Sequence, residues 1–313
     1  MLAGARRAHY GTLMSELPDL YLTAAMAPSL MDALATRFRI HRENPPVTTR
    51  AIVGGGSVLV DQAVLDSLPA LEIVAVNGVG YDRIDLDAVR ARGVRVTTTP
   101  DVLTDDVADL AIGLMLAVDR RIAFNDRAVR EGGWSVPLGR RTSGRRVGIF
   151  GFGRIGQAIA RRAAPFAREV LYTARHERAD SGYRFVPDIG ALAEACDTLI
   201  LIAPGGAETR HVVSAAVLEK LGAQGVLINV ARGSLVDESA LVAALAAGTI
   251  AGAGLDVFED EPHVPDALKA MDQVVLLPHQ GSATAECRAA MAALVLANLD
   301  AHFAGQPLVT PLV

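Results

Sequence analysis

The stretch VGIFGFGRIGQAIARR, Val147 to Arg162, decides how the chain is read. An apolar run ending at Phe150 passes straight into Gly151-Phe152-Gly153-Arg154-Ile155-Gly156 and then into an amphipathic pattern, which reads as strand, glycine turn and helix. Gly151 permits a tight turn, Gly153 lets backbone approach a pyrophosphate, and Gly156 lets the helix lie close on its strand. The helix N-terminus then directs N–H groups at phosphate oxygens. Three glycines at this spacing arise readily by chance, so the strand before and the helix after carry the inference of a dinucleotide cradle.

Working outward, the apolar runs EVLYTA, TLILIAP, GVLINVA, IAGAGLDV and QVVLLP follow VGIFG. Six strands separated by helices is the count of a complete dinucleotide-binding sheet. Before the turn, LYLTA, RFRIH, AIVGGG, LEIVAVNG and VRVTTT alternate with single helical segments, which implies a second parallel α/β sheet. Between the two series, Leu103 to Arg130 is the longest helical pattern, with Val107, Leu110, Ala111, Leu114, Val118 and Ile122 at helix spacing. It is expected to bridge two domains or a subunit interface. The last helix, from about Glu286 to Phe303, has no strand after it and is expected to return to the first domain.

Composition bounds the function. Of 313 residues, 51% are hydrophobic and only 21% charged, which describes a folded globular protein. A formal charge of −5 offers no cationic surplus for a nucleic-acid partner, and no apolar run is long enough for a membrane span. Cys196 and Cys287 are too few and too isolated for a disulfide framework or a metal site, and read as buried thiols of a cytoplasmic protein. The N-terminal MLAGARRAHYGTLMSELPDL lacks the apolar core of a secretory signal and reads as a loosely held extension.

The strand after the glycine turn selects the dinucleotide. A carboxylate at its end, about 20 residues past the glycines, would hydrogen-bond the adenosine ribose of NAD and repel the 2′-phosphate of NADP. Here EVLYT is followed by Ala174, Arg175, His176, Glu177 and Arg178. The expected acid is missing and Arg175 offers a planar fork, so NADP(H) is expected in preference to NAD(H), with His176 or Arg178 secondary. Against this stand a reading of these residues as solvated surface cations, and Glu177, which keeps NAD in play.

Ligands of open parallel sheets bind beyond the carboxyl ends of the strands, and three ionisable residues occupy such positions. Arg232 follows VLINVA, Glu261 lies in the loop after AGLDVFED, and His279 follows VVLLP directly. The set matches the demands of reducing a 2-oxo acid. Hydride reaching a ketone carbon leaves negative charge on oxygen, so a proton donor must stand within hydrogen-bond reach, and His279 is the candidate. A carboxylate beside it, Glu261, is expected to favour the imidazolium and raise its pKa. Arg232 suits the substrate carboxylate, each charge-assisted bond being worth roughly 1.5–3 kcal/mol. His263 is a rival for the proton donor because it adjoins Glu261, and Arg232 has an alternative as a surface partner of Asp237 or Glu238.

GFGRIG, NVARGSLVDESAL, AGAGLDVFEDEP and LLPHQGSAT, in this order, resemble the signature segments of the D-isomer-specific 2-hydroxyacid dehydrogenases; NGVGYDRIDL and TPDVLTDDVADLAIGLMLA extend the likeness into the first half. The resemblance implies an α/β architecture of two Rossmann-like domains with parallel sheets: a discontinuous, flavodoxin-like substrate domain, 1–100 with 285–313, and an NAD(P)-binding Rossmann domain, 101–284, usually in a homodimer. It implies Arg232, Glu261 and His279 as the substrate-binding residue, the tuning carboxylate and the proton donor, and Asp256 as the residue holding the nicotinamide amide. Thr104, Ala203, Pro204, Val230 and Ala231 join the glycine turn as implied cofactor contacts. Val79 and Gly80 fall in the loop whose N–H groups receive the substrate carboxylate.

YTARHE and the ending LDAHFAGQPLVTPLV are most similar to NADPH-dependent hydroxyphenylpyruvate, hydroxypyruvate and glyoxylate reductases, implying a small 2-oxo acid substrate and a D-2-hydroxy acid product. Trp134 matches a pocket-lining position that in such reductases reaches the partner subunit's site; a buried core tryptophan is the competing reading. Gln280 departs from the aliphatic residue common beside the proton donor, where a polar group could alter its orientation or pKa. Two further functions share the fold: a dinucleotide-sensing corepressor-like binding protein, and a dehydrogenase of phosphite or formate type.

Overall fold

In the computed structural model, which describes residues 17–313, the five apolar runs before Thr99 all form strands: β1 (Asp19–Leu22), β2 (Arg39–His41), β3 (Thr49–Gly55), β4 (Ile73–Asn77) and β5 (Arg95–Thr97). The N-terminal extension read from the sequence lies largely outside the described residues. The strands pair in parallel in the order β2-β1-β3-β4-β5. A parallel sheet is covered on both faces, and β3 and β4 are accordingly apolar along nearly their whole length. Alternate residues serve opposite faces: Ile52 and Val74 join Leu65, Val89 and Val96 on one side, while Val53 and Ile73 join Leu20, Leu30 and Leu34 on the other. The second of these cores also receives Ala292, Val295 and Leu299 from the helix Ala285–Phe303, whose start is capped by Thr284. Residues through Leu103 thus form one unit with Thr284–Val313, and Thr104–Ala283 form another.

The second unit is a seven-stranded parallel sheet of β6 (Arg145–Phe150), β7 (Ala167–Thr173), β8 (Arg184–Phe185), β9 (Thr198–Leu201), β10 (Val226–Asn229), β11 (Gly252–Leu255) and β12 (Val274–Leu276). The sequence shows six of these. The seventh, β8, is a two-residue edge strand beside β7, too short to produce any hydrophobic period. The order β12-β11-β10-β9-β6-β7-β8 reverses direction at β6, so the carboxyl ends of β6 and β9 diverge there. Such a switch point is where doubly wound sheets take their ligands. Leu171, Leu199, Leu201, Leu227 and Leu255 meet Leu192, Leu218 and Leu241 in the core. Each buried leucine contributes roughly 1.5–3 kcal/mol of transfer free energy.

The long helical pattern is not one helix. It runs over Thr104–Asp119, breaks, and resumes at Ile122–Arg130. Arg121 adopts φ +54°, and the Asp119 carbonyl is taken by the Arg140 N–H at 2.6 Å, which ends the helical ladder. Val107, Ala111, Leu114 and Val118 remain on the buried stripe, and the helix lies against β10, β11 and the helix Arg154–Ala163. Ile122, past the break, is 53% exposed. The longest helix among the described residues is instead Ala285–Phe303. Both cysteines are free and buried, the Cys196 thiol being pushed up to about 12 by burial. No helix among the described residues is long and apolar enough to cross a membrane.

The break separates two positions that share a helical stripe in the sequence. Leu114→Ala is expected to cost about 2–5 kcal/mol, and Ile122→Ala less than about 0.5 kcal/mol, measured by denaturant unfolding. A large loss at Ile122 would mean that the helix continues through Arg121.

Candidate active site

The glycine turn closes β6 where the sheet reverses. Gly151 has φ +103°, and a Cβ there would stand 2.6 Å from the Ala203 nitrogen at the end of β9, so both backbone conformation and crowding require glycine. A side chain on Gly156 would overlap the Gly151 carbonyl oxygen, whereas one on Gly153 would meet nothing within 4 Å. The turn is therefore tight on its protein side and open where a ligand would lie. Helix geometry leaves the first N–H groups of Arg154–Ala163 without intrahelical partners, facing that opening. Arg154 is exposed and Ile155 half-buried. The Phe152 ring turns inward onto Tyr172, centroids 3.8 Å apart, leaving its backbone to line the turn.

Past β7, Ala174 is half-buried while Arg175, His176, Glu177 and Arg178 are exposed. Buried Tyr172 anchors this loop: its hydroxyl accepts from the Arg178 N–H at 2.7 Å and donates to the Arg178 carbonyl at 3.2 Å. Ala203, Val230 and Ala231 are buried at the ends of β9 and β10, and Pro204 is exposed beside them. Thr104 opens the long helix. Among these residues the cradle, the cationic loop and the missing strand-end acid fit a dinucleotide, and among the described residues no carboxylate is bonded to Arg175.

The ionisable set lies at the same edge. Glu261 Oε2 is 2.8 Å from His279 Nδ1, and Glu261 Oε1 accepts from the Phe258 N–H at 3.1 Å. Burial alone would raise the Glu261 carboxyl, but the hydrogen bond and charge of His279, the Phe258 N–H and the charge of Arg232 outweigh it and hold the group below the ordinary carboxylate range. His279 is half exposed and carries φ +55°. Left-handed backbone is costly for a residue with a Cβ, and strain of this kind collects at functional sites. Its N–H donates to the Asp256 carbonyl at 2.8 Å, and the Asp256 carboxylate accepts from the Gln280 N–H at 2.6 Å and the Gly281 N–H at 2.9 Å. Asp256 is 1% exposed, and burial pushes its carboxyl up despite those two donors.

Arg232 follows β10 on a turn held by Asn229, whose amide donates to the Arg232 carbonyl at 2.9 Å and accepts from the Ala231 N–H at 3.0 Å. His263, the rival donor, is 81% exposed in its side chain and faces Asp260. The Gln280 amide donates to the Pro278 carbonyl at 3.2 Å. The anchors Asn229, Tyr172 and the Phe258 N–H leave no signal in the sequence, because each depends on how one loop folds over another. Asp256 is singled out there, but for a nicotinamide contact; the grip of its carboxylate on the 279–281 loop appears only in the fold.

Val79 and Gly80 belong to the first unit, in the loop directly after β4, half-buried. Trp134 is 88% exposed, which rules out a core tryptophan within this chain.

Residues 112–281 match the family described as D-isomer specific 2-hydroxyacid dehydrogenase, NAD binding domain. Glyoxylate/hydroxypyruvate reductase A of Arabidopsis thaliana is 51% identical over 267 residues, 84% of this chain and 85% of that protein. 2-Ketogluconate reductase of Gluconobacter oxydans is 44% identical over 96% of this chain and 100% of its own. The crystal structure of an NADPH-dependent glyoxylate/hydroxypyruvate reductase from Sinorhizobium meliloti, in complex with NADP and malonate, superposes with a TM-score of 0.89 at 44% identity, covering 95% of this chain and 97% of that one. The chain belongs to the D-isomer specific 2-hydroxyacid dehydrogenase family, a family of oxidoreductases acting on the CH–OH group of 2-hydroxy acids.

Proposed function

We propose that this protein is an NADPH-dependent reductase of small 2-oxo acids, of the hydroxypyruvate, glyoxylate or hydroxyphenylpyruvate type, producing a D-2-hydroxy acid. The observation that carries the reading is the 2.8 Å contact of Glu261 with His279 Nδ1 beyond the carboxyl ends of the strands that frame the glycine turn. With Nδ1 taken, the nitrogen left to face a substrate is Nε2. His279 holds a proton there and gives it to the keto oxygen as charge develops on it. Glu261 steadies the imidazolium, and its own lowered pKa keeps it ionised to do so. Arg232 binds the substrate carboxylate. Reduced nicotinamide, when bound, supplies the hydride.

The cradle of Gly151, Gly153 and Gly156 receives the pyrophosphate at a helix N-terminus. Arg175, with His176 beside it, receives the 2′-phosphate, and the absence of a carboxylate at the end of β7 supports NADPH over NADH. We further propose a cytoplasmic homodimer, in which exposed Trp134 lines the pocket of the partner subunit.

An NADPH oxidation panel over hydroxypyruvate, glyoxylate, hydroxyphenylpyruvate and 2-ketogluconate tests the assignment; no oxidation by any of them overturns it. His279→Ala is expected to lower turnover by at least about 10²-fold, with little change in NADPH affinity. Arg175→Ala is expected to reduce kcat/KM with NADPH by roughly 10- to 100-fold, the size of one lost charge-assisted bond, while the NADH rate stays near wild type; equal losses with both cofactors would remove Arg175 from phosphate recognition. The pH profile follows from the lowered Glu261 pKa. The pair keeps its charge-assisted bond through mildly acidic pH and loses it only as pH falls through that lowered value. Reductive turnover is therefore expected to hold through mildly acidic pH and to fall as Glu261 takes up a proton, measured as the pH dependence of kcat. Glu261→Gln, which has no carboxylate to protonate, is expected to turn over more slowly than wild type and to lack that acid-side fall.

A further inference from the structure

A second group of ionisable residues occupies the C-terminal edge of the same sheet. Glu259 Oε1 accepts from His211 Nε2 at 2.7 Å and from Arg210 Nη2 at 2.9 Å. The Glu259 N–H donates to Glu238 Oε1 at 2.7 Å. His211 stands in left-handed backbone, φ +50°, and its N–H donates to the Ser234 carbonyl at 2.8 Å. A Cβ on Gly233 would overlap the Phe258 carbonyl and the Glu259 nitrogen, so the turn after Arg232 lies directly against the loop that carries Glu261.

These bonds join three loops. The one after β9 brings Arg210 and His211, the one after β10 brings Arg232 to Glu238, and the one after β11 brings Asp256 to Glu261. Glu259 is bonded to both of the other two, by its side chain to the first and by its N–H to the second, and His211 likewise joins its own loop to both others through its ring and its N–H. Glu259 is two residues from Glu261 and packs on the neighbour of Arg232. The reaction needs the group that binds the substrate carboxylate and the group that donates the proton to keep a fixed separation, because a displacement of about 1 Å can cost on the order of 10²-fold in rate.

We propose that Glu259, tied by His211 and Arg210, is a positioning residue that sets the placement of Arg232 relative to the Glu261–His279 pair. This rests on the 2-oxo acid reductase reading. Glu259 acts through the loops it joins; the chemistry stays with Arg232, Glu261 and His279. Its hydrogen bonds need an acceptor oxygen and not a charge alone, so an amide in its place preserves the tie.

The test uses the full chain, NADPH and hydroxypyruvate, with Glu259→Ala, Glu259→Gln, His211→Ala and the Glu259→Ala/His211→Ala double variant. Glu259→Ala is expected to lose about tenfold in kcat/KM through a displaced site, with NADPH affinity unchanged by fluorescence titration. Glu259→Gln is expected to recover most of that loss, and the double variant to be no slower than Glu259→Ala, since both changes cut the same tie. Wild-type kcat/KM in Glu259→Ala, equal impairment in Glu259→Gln, or fully additive losses overturn the proposal. If Glu259→Ala does not fold, His211→Ala and Glu259→Gln carry the comparison: a loss in the first and near-normal kcat/KM in the second support the tie, and the reverse overturns it. A wild-type protein inert toward every 2-oxo acid refutes the underlying reading instead, and is distinguished by that control.

Discussion

The candidate site at the edge of the second unit depends on one buried carboxylate. Asp256 lies at the end of β11 with both oxygens occupied by the N–H groups of Gln280 and Gly281, and its own carbonyl holds the His279 N–H. Left-handed backbone at His279 costs roughly 1–2 kcal/mol. Three hydrogen bonds to Asp256, two to its carboxylate and one to its carbonyl, hold the 279–281 loop in that conformation. The imidazole is aimed by backbone before any side chain touches it. Glu261 then needs only to meet Nδ1.

The parallel sheet explains why these groups can meet. Strands that run the same way end on the same edge, so β9, β10, β11 and β12 deliver the residues that follow them to one side. The reversal at β6 opens a gap on that side, and Gly151 against Ala203 shows how close the two diverging chains remain at its floor. Leucine packing beneath the edge holds the strand ends in register. Beside the side-chain pairs Glu261–His279 and Glu259–His211, hydrogen bonds between loop backbone and a polar side chain hold the loops: Asn229 to Arg232, Asp256 to Gln280 and Gly281, Tyr172 to Arg178.

Legibility in the sequence follows the range of the forces involved. Strands such as β4, β9 and β10 announce themselves because each is a buried, mainly apolar run. The edge strand β8 does not, since two residues carry no period. The break after Asp119 also escapes, because apolar spacing on its own continues to Ile122; what ends the helix is the distant Arg140 N–H capturing the Asp119 carbonyl. Arg232, Glu261 and His279 are legible as residues after strands, and the structure brings Glu261 and His279 into contact. Direction supports His279 over His263: His263 faces Asp260 on the surface, while His279 meets Glu261 at 2.8 Å.

Asp256 and Glu261 sit five residues apart on one loop and are pushed in opposite directions, the first upward by burial and the second downward by its partners. The difference lies in what each faces. Asp256 is enclosed and meets dipoles, the N–H groups of two peptide units, which offset part of its desolvation. Glu261 is one-third exposed and meets a ring that can carry full charge, with Arg232 contributing at longer range. A carboxylate answered by dipoles is suited to holding backbone, because its partners do not titrate. A carboxylate answered by an imidazole is suited to proton chemistry, because the strength of that bond changes with the proton it helps to retain. Separate environments thus set the two acids of one short loop apart, which is the arrangement the proposed mechanism asks for, one group fixed while its neighbour supports proton transfer.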